Sequence, residues 1–191
     1  FTTNSVNFTM KETFQNLITY LKNPVLEKDP NTNLAYRFSI FFKILAISLL
    51  TGIIIAPIFA IFEALQWVNM DNHKVQAQFE NMGIFQIILL GAILAPVLEE
   101  AIFRGPITAF KKTKSFKIAF YALALLFGFI HIFNFEITTN ILLLAPLLVL
   151  PQILLGGYFG YIRVRFGIQW SMLLHGCYNG ILILISYLFE S

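Results

Sequence analysis

The sequence predicts an all-α fold: a polytopic membrane helix bundle of about five transmembrane helices plus an amphipathic N-terminal helix. Three observations carry that prediction. Of the 191 residues, 58% are hydrophobic and only 12% are charged, the latter about half of the roughly 25% usual for soluble domains. The mean hydropathy is +0.75, and Pro and Gly sit inside the apolar runs, a placement that bilayer helices tolerate. Five runs each come near the ~20 residues that cross a ~30 Å hydrocarbon core as helix.

In chain order, Thr9 to Leu21 reads as a short amphipathic helix. Thr9 and Glu12 have capping-box spacing, Phe14, Leu17, Ile18 and Leu21 fall on one face, and Asn23 and Pro24 end it. Such a helix either lies on the bilayer or packs on the bundle. The apolar spans are Ile44 to Phe62, Met82 to Leu98 with an extension to Phe110, Ile118 to Phe135, Ile137 to Ile162, and Gly167 to Phe189. Pro146 and Pro151 predict a kink in the fourth. Gly156 and Gly160, in the same span, have the small-xxx-small spacing that lets another helix approach closely. The division expected is a 1–35 amphipathic or interfacial segment and a 36–191 transmembrane domain.

Charge placement predicts orientation. Lys111, Lys112, Lys114 and Lys117 sit between the second and third spans, Arg163 and Arg165 between the fourth and fifth, and Lys22, Lys28, Arg37 and Lys43 before the first. The segment from Glu63 to Asn81 holds Asp71, Glu80 and one lysine, Lys74, and the connection near Glu136 holds no basic residue. The positive-inside rule then makes the N-terminus, the 104–117 loop and the 163–167 loop cytoplasmic, with the C-terminus outside a cell membrane. The chain starts at Phe1 with no signal-peptide pattern, which reads as the remaining part of a trimmed or processed protein. A single cysteine, Cys177, excludes an internal disulfide and a multi-cysteine metal cluster. No nucleic-acid motif, internal repeat or soluble domain is present.

Against this apolar background, Glu99, Glu100 and Arg104 end the second span, His131 lies late in the third, and His175 and Asn179 lie in the fifth. A charge at membrane depth costs several kcal/mol or more unless paired or near water, so such residues point to function. Glu100 and Arg104 are i and i+4 and can pair on one helix face. Glu99 points about 100° away, free to face a cavity and handle a water. His175 and Asn179, also i and i+4, project into one space. A carboxylate and a histidine that hold a water, with imidazole and amide donors aimed at a developing oxyanion, are the parts needed to hydrolyse an acyl bond.

Other chemistries have less support. The Glu100–Arg104 pair also fits a structural clamp, and a single intramembrane histidine also fits a helix contact. Cys177 lies on roughly the opposite face from His175. Ser171 is i−4 to His175 and could share its face, but neither Gly-x-Ser-x-Gly nor Ser-x-x-Lys surrounds it. Glu99, His131 and His175 would supply a zinc ligand set of one carboxylate and two imidazoles, without a His-Glu-x-x-His motif.

These residues resemble the CPBP group, named for CAAX proteases and bacteriocin-processing enzymes and also called the Abi family. Its EExxxR, FxxxH and HxxxN patterns stand here at Glu99 to Arg104, Phe127 to His131 and His175 to Asn179, each on a separate predicted span. Gly156, Gly157, Gly160 and Arg163 look like the family's lead-in to the last motif. The resemblance covers a motif core of 94–179. It implies an intramembrane endopeptidase acting on membrane-associated protein or peptide substrates, with no cofactor expected and zinc as the alternative. Glu99 and His131 would position the attacking water, His175 and Asn179 would stabilise the oxyanion, and Glu100 and Arg104 would support them. The alternative function is a non-catalytic immunity or scaffold protein of the same fold. A proton-relaying transporter is a third reading, weakened by the lack of an inverted repeat.

One tension accompanies this reading. Glu99 lies 12 residues before Lys111 and His131 lies 17 after Lys114, so in a simple hairpin their depths differ by several Å at ~1.5 Å per residue. Tilted helices, or a hairpin that protrudes on the cytoplasmic side, would remove the offset.

Overall fold

A computed structural model describes residues 8–69 and 82–190. Among them the secondary structure is helical throughout: α1 (Met10–Lys22), α2 (Leu34–Ala64), α3 (Ile84–Ala109), α4 (Thr113–Asn134), α5 (Thr139–Phe166) and α6 (Ile168–Glu190). Helices α2 to α6 are each long and apolar enough to cross a membrane, and the protein is a multi-pass membrane protein. Asp71, Lys74 and Glu80, which enter the orientation argument, lie outside the described residues.

The capping box of α1 is formed, with the Thr9 N–H donating to Glu12 Oε2 at 2.7 Å and the Glu12 N–H donating to Thr9 Oγ1 at 3.2 Å. The helix packs on the bundle. Leu17 and Thr13 are buried, while Phe14, expected on the same face as Leu17, is turned outward. The Tyr121 hydroxyl of α4 donates to the Leu21 carbonyl at 2.8 Å, and Tyr20 meets Phe120 of α4 and Tyr161 of α5 edge-on. The segment after α1 is tied to the end of α5, where the Asp29 N–H donates to the Arg165 carbonyl at 3.1 Å and the Asp29 carboxylate pairs with the Arg165 guanidinium.

Helix α2 begins ten residues before the predicted span, capped by Asn33, whose side chain accepts from the Tyr36 N–H. Its first turns are amphipathic: Tyr36, Ile40 and Phe41 are buried, while Arg37 reaches back to donate to the Asn31 carbonyl at 2.9 Å. Helix α5 breaks at Val149 into Thr139–Leu148 and Leu150–Phe166. The break falls between Pro146 and Pro151, and Pro151 has no N–H to offer the carbonyl four residues back. The second half of α5 is the centre of the core, with Tyr158, Phe159, Tyr161 and Ile162 all buried. It lies close against α4: a Cβ on Gly156 would stand 3.2 Å from the Ala124 carbonyl oxygen, and one on Gly160 2.8 Å from the Phe120 ring.

Helix α3 is the irregular one. It runs as α-helix over Ile84–Ile88, widens to a π-helix over Leu89–Leu94, returns to α over Ala95–Phe103, and ends in a 3₁₀ turn over Pro106–Ala109. That last turn places Ile107 against Phe116, Phe120 and Val164 in a small apolar cluster, and Glu99 Oε2 stands 4.0 Å from His131 Nε2. The depth offset expected from a simple hairpin is removed.

Candidate active site

The cluster is built on three helices. Glu99, Glu100 and Arg104 come from α3, His131 from the first position of the 3₁₀ turn that ends α4, and His175 and Asn179 from α6. Phe127 lies one turn before His131, fully inside the core.

Glu100 is completely buried and every oxygen is engaged. Oε1 faces Nδ1 of His175 at 3.1 Å and Nη1 of Arg104 at 3.3 Å. Oε2 accepts from the Ser171 hydroxyl at 2.7 Å. The expected Glu100–Arg104 pair is present, and it carries two further tasks, orienting His175 and accepting from Ser171. A carboxylate out of water needs this density of partners, because an unpaired buried charge is strongly destabilising.

Arg104 is 2% exposed, and its guanidinium carbon sits 3.8 Å from the Phe127 ring centroid and 5.5 Å from that of Phe159. The aromatic faces supply part of what water would otherwise give the cation. Arg163, from the end of α5, donates through Nε to the Arg104 carbonyl at 3.1 Å and through Nη2 to Thr108 Oγ1 at 3.0 Å. It thereby satisfies a carbonyl at the C-terminus of the α-helical part of α3.

Both histidines are fixed through Nδ1. In His131, Nδ1 faces the Phe127 carbonyl at 2.6 Å. A carbonyl only accepts, so the ring donates there, and the neutral ring turns an Nε2 lone pair toward Glu99. In His175, Nδ1 donates to the Glu100 carboxylate, and the ring is stacked on Phe159 at 4.6 Å with an interplanar angle of 22°. The two Nε2 atoms then converge on one oxygen: Glu99 Oε2 lies 4.0 Å from that of His131 and 3.7 Å from that of His175. Oε2 is shielded from solvent and makes no direct hydrogen bond among the described residues, although the Glu99 side chain as a whole keeps 30% exposure. Separations of this size are too long for a direct hydrogen bond and are the range in which a shared water bridges polar groups.

Asn179 is on the same helix face as His175, and its Nδ2 donates to the Gly91 carbonyl of the π-helical segment at 2.9 Å. The motif pattern puts this residue at the oxyanion; in the fold its amide meets backbone.

Zinc can be tested against this geometry. The donor chemistry is suitable, since each imidazole anchors its Nδ1 on an acceptor as metal-bound histidines do. The spacing is not suitable. Bonds of about 2.1 Å in a tetrahedron put ligand atoms about 3.4 Å apart, whereas the edges here are 3.7 and 4.0 Å. Among the described residues no group of three or more His, Cys, Asp or Glu is arranged to hold a metal ion. To hold zinc, Glu99 would have to draw closer to both histidines than it stands here.

Ser171, Phe159 and the π-helical segment are site elements that the motifs do not reveal. By sequence Ser171 invites attention only as a nucleophile, and its spacing of four from His175 is the available signal for a shared partner. Phe159 is hidden in a run of aromatic and apolar residues whose pattern is that of any core helix.

The bundle gathers two adjacent carboxylates, two histidines and an arginine from three spans, and a family match supports a CAAX-protease-type intramembrane endopeptidase fold. The chain matches the family described as "Type II CAAX prenyl endopeptidase Rce1-like" over residues 81–181. It belongs to that family, and the match contains all three motifs. No curated protein and no solved structure matches the chain.

Proposed function

We propose that this protein is an intramembrane endopeptidase that hydrolyses peptide bonds of membrane-associated protein or peptide substrates with a water activated by Glu99 and His131. The observation that carries the reading is the convergence of His131 Nε2 and His175 Nε2 on Glu99 Oε2, at 4.0 and 3.7 Å. A water about 2.8 Å from Glu99 Oε2 and His131 Nε2 would donate one proton to each acceptor, which leaves an oxygen lone pair for the scissile carbonyl.

In the attack, the water oxygen bonds to the carbonyl carbon, its proton passes to Glu99, and the carbonyl π pair moves to oxygen. Collapse restores the carbonyl and breaks the C–N bond, and Glu99 returns the proton to the leaving nitrogen. The developing oxyanion takes a hydrogen bond from His175 Nε2. With Nδ1 committed to Glu100, that proton is the second on the ring, so His175 acts as an imidazolium gripped by Glu100 on one side and the reacting oxygen on the other. No step needs a metal ion. Arg104, Phe127 and Ser171 maintain Glu100, and through it the direction of His175.

The lysines of 111–117 and the arginines at the end of α5 favour a cytoplasmic location for that end of the bundle, with the site opening toward it. Purified protein in detergent should cleave a membrane peptide, and Glu99→Ala or His131→Ala should abolish cleavage in a protein that still folds. Wild-type rates in both variants would sink the proposal and favour a non-catalytic scaffold of the same fold.

A further inference from the structure

We infer that Asn179 positions the site by replacing a backbone hydrogen bond that Pro96 removes from α3; the kinetic part of this inference rests on the hydrolytic reading above.

In the π-helical segment the spacing of backbone hydrogen bonds is i to i+5, and the Ala95 N–H donates to the Leu90 carbonyl. The next carbonyl belongs to Gly91. Its α-spaced donor, Ala95, is already committed to Leu90, and its π-spaced donor would be the nitrogen of Pro96, which carries no hydrogen. Asn179 Nδ2 meets this carbonyl at 2.9 Å, and an acceptor there requires the amide nitrogen rather than its oxygen. Gly176, three residues earlier on α6, allows the approach: a Cβ there would stand 2.6 Å from the Ala92 carbonyl oxygen. Helix α6 thus closes on the widened turn with one hydrogen bond and one bare backbone.

The widened turn governs the direction of the two carboxylates beyond it. One residue inserted into a helix rotates everything beyond it by about 100°. Glu99 and Glu100 begin five residues after Leu94, the last residue of the π segment. The pinned turn therefore sets the phase at which Glu99 faces the two histidines while Glu100 faces Arg104 and Ser171. Asn179 acts on the carboxylates through the backbone, as a positioning residue.

A rescue experiment separates this role from direct contact with the oxyanion. Alanine at 96 restores an N–H five residues after Gly91. Asn179→Ala is expected to lower the melting temperature in detergent and to lower kcat by about tenfold or more with KM little changed. Adding Pro96→Ala should recover the melting temperature and bring kcat to within about threefold of the Pro96→Ala parent. Asn179→Leu, of similar size and without a donor, replaces the alanine variant if that protein does not fold. A kcat equally low with and without Pro96→Ala would overturn the inference and assign Asn179 to the reacting atoms. A melting temperature untouched by the loss of Asn179 would also overturn it. If wild type cleaves nothing while the loss and recovery of melting temperature are seen, the hydrolytic reading fails and the structural role of Asn179 stands.

Discussion

Nδ1 of His175 lies 3.1 Å from Oε1 of Glu100, so the imidazole on α6 is aimed by a carboxylate on α3 that has no contact with solvent. The second glutamate of the EExxxR motif is the anchor of the histidine in the HxxxN motif. Disturbing Glu100 or its partners therefore disturbs His175, even where no reacting atom is touched.

Ser171→Ala tests that dependence. The variant leaves Glu100 Oε2 without its 2.7 Å donor in a place water does not reach. The unfolding free energy is expected to fall by about 1–3 kcal/mol, read from denaturant or thermal unfolding in detergent. An unchanged midpoint would show that the hydroxyl is dispensable to the cluster.

Phe127 is expected to stabilise the cation as well as fill space, because the Arg104 guanidinium lies 3.8 Å from its centroid. Phe127→Ala should cost about 3–5 kcal/mol, as a large core truncation does. Phe127→Leu keeps most of the apolar volume and loses the π face, and should still cost about 0.5–2 kcal/mol. A leucine variant as stable as wild type would reduce Phe127 to a packing residue.

The Asp29 cluster predicts an acid-side loss of stability. Burial alone pushes the Asp29 carboxyl upward, but the Asn31 N–H, the Arg165 guanidinium and the Tyr36 hydroxyl outweigh it and hold the group below its ordinary value. A carboxyl depressed in the folded state stabilises the fold above its unfolded pKa, about 3.9, and that contribution is lost as pH falls through the folded value. Wild type should thus lose stability from about pH 4 downward. Asp29→Asn should be weaker at neutral pH and flatter in that window. Unfolding midpoints across a pH series decide it, and parallel curves for the two proteins would contradict the assignment.

Metal removal gives a fourth expectation. In the proposed mechanism Glu99 and His131 activate the water without a metal ion, so cleavage should survive dialysis against a strong chelator, and added zinc should not raise the rate. Loss of activity on chelation with recovery on zinc addition would mean that the two histidines and Glu99 draw together around an ion.

Much of this architecture is readable from residue order. The five spans follow from apolar length, the kink in α5 from Pro146 and Pro151, and the α1 start from Thr9 and Glu12. The grouping of Glu99, His131 and His175 follows from three motifs on three spans. Other features depend on contacts between distant segments. Whether α1 packs or lies on the bilayer turns on a partner surface, formed by Tyr121 of α4 and Gly157 of α5 against Leu21, that the α1 sequence does not contain. The π-helical segment is invisible to a 3.6-residue period, although Pro96 hints at it. Spacing correctly assigns Asn179 to the face of His175, but spacing cannot say that a freed carbonyl waits on the same side.

Half of the most apolar stretch of α5 is enclosed by protein, against 11% of that of α3. The helix that carries both carboxylates is therefore the least enclosed of the five spans. Its tilt answers to hydrophobic thickness, since a span meets a mismatch by tilting or by deforming the bilayer. The distance from Glu99 to the histidines then becomes a mechanical variable of the host membrane, which reconstitution into lipids of graded chain length would read directly as a change in turnover.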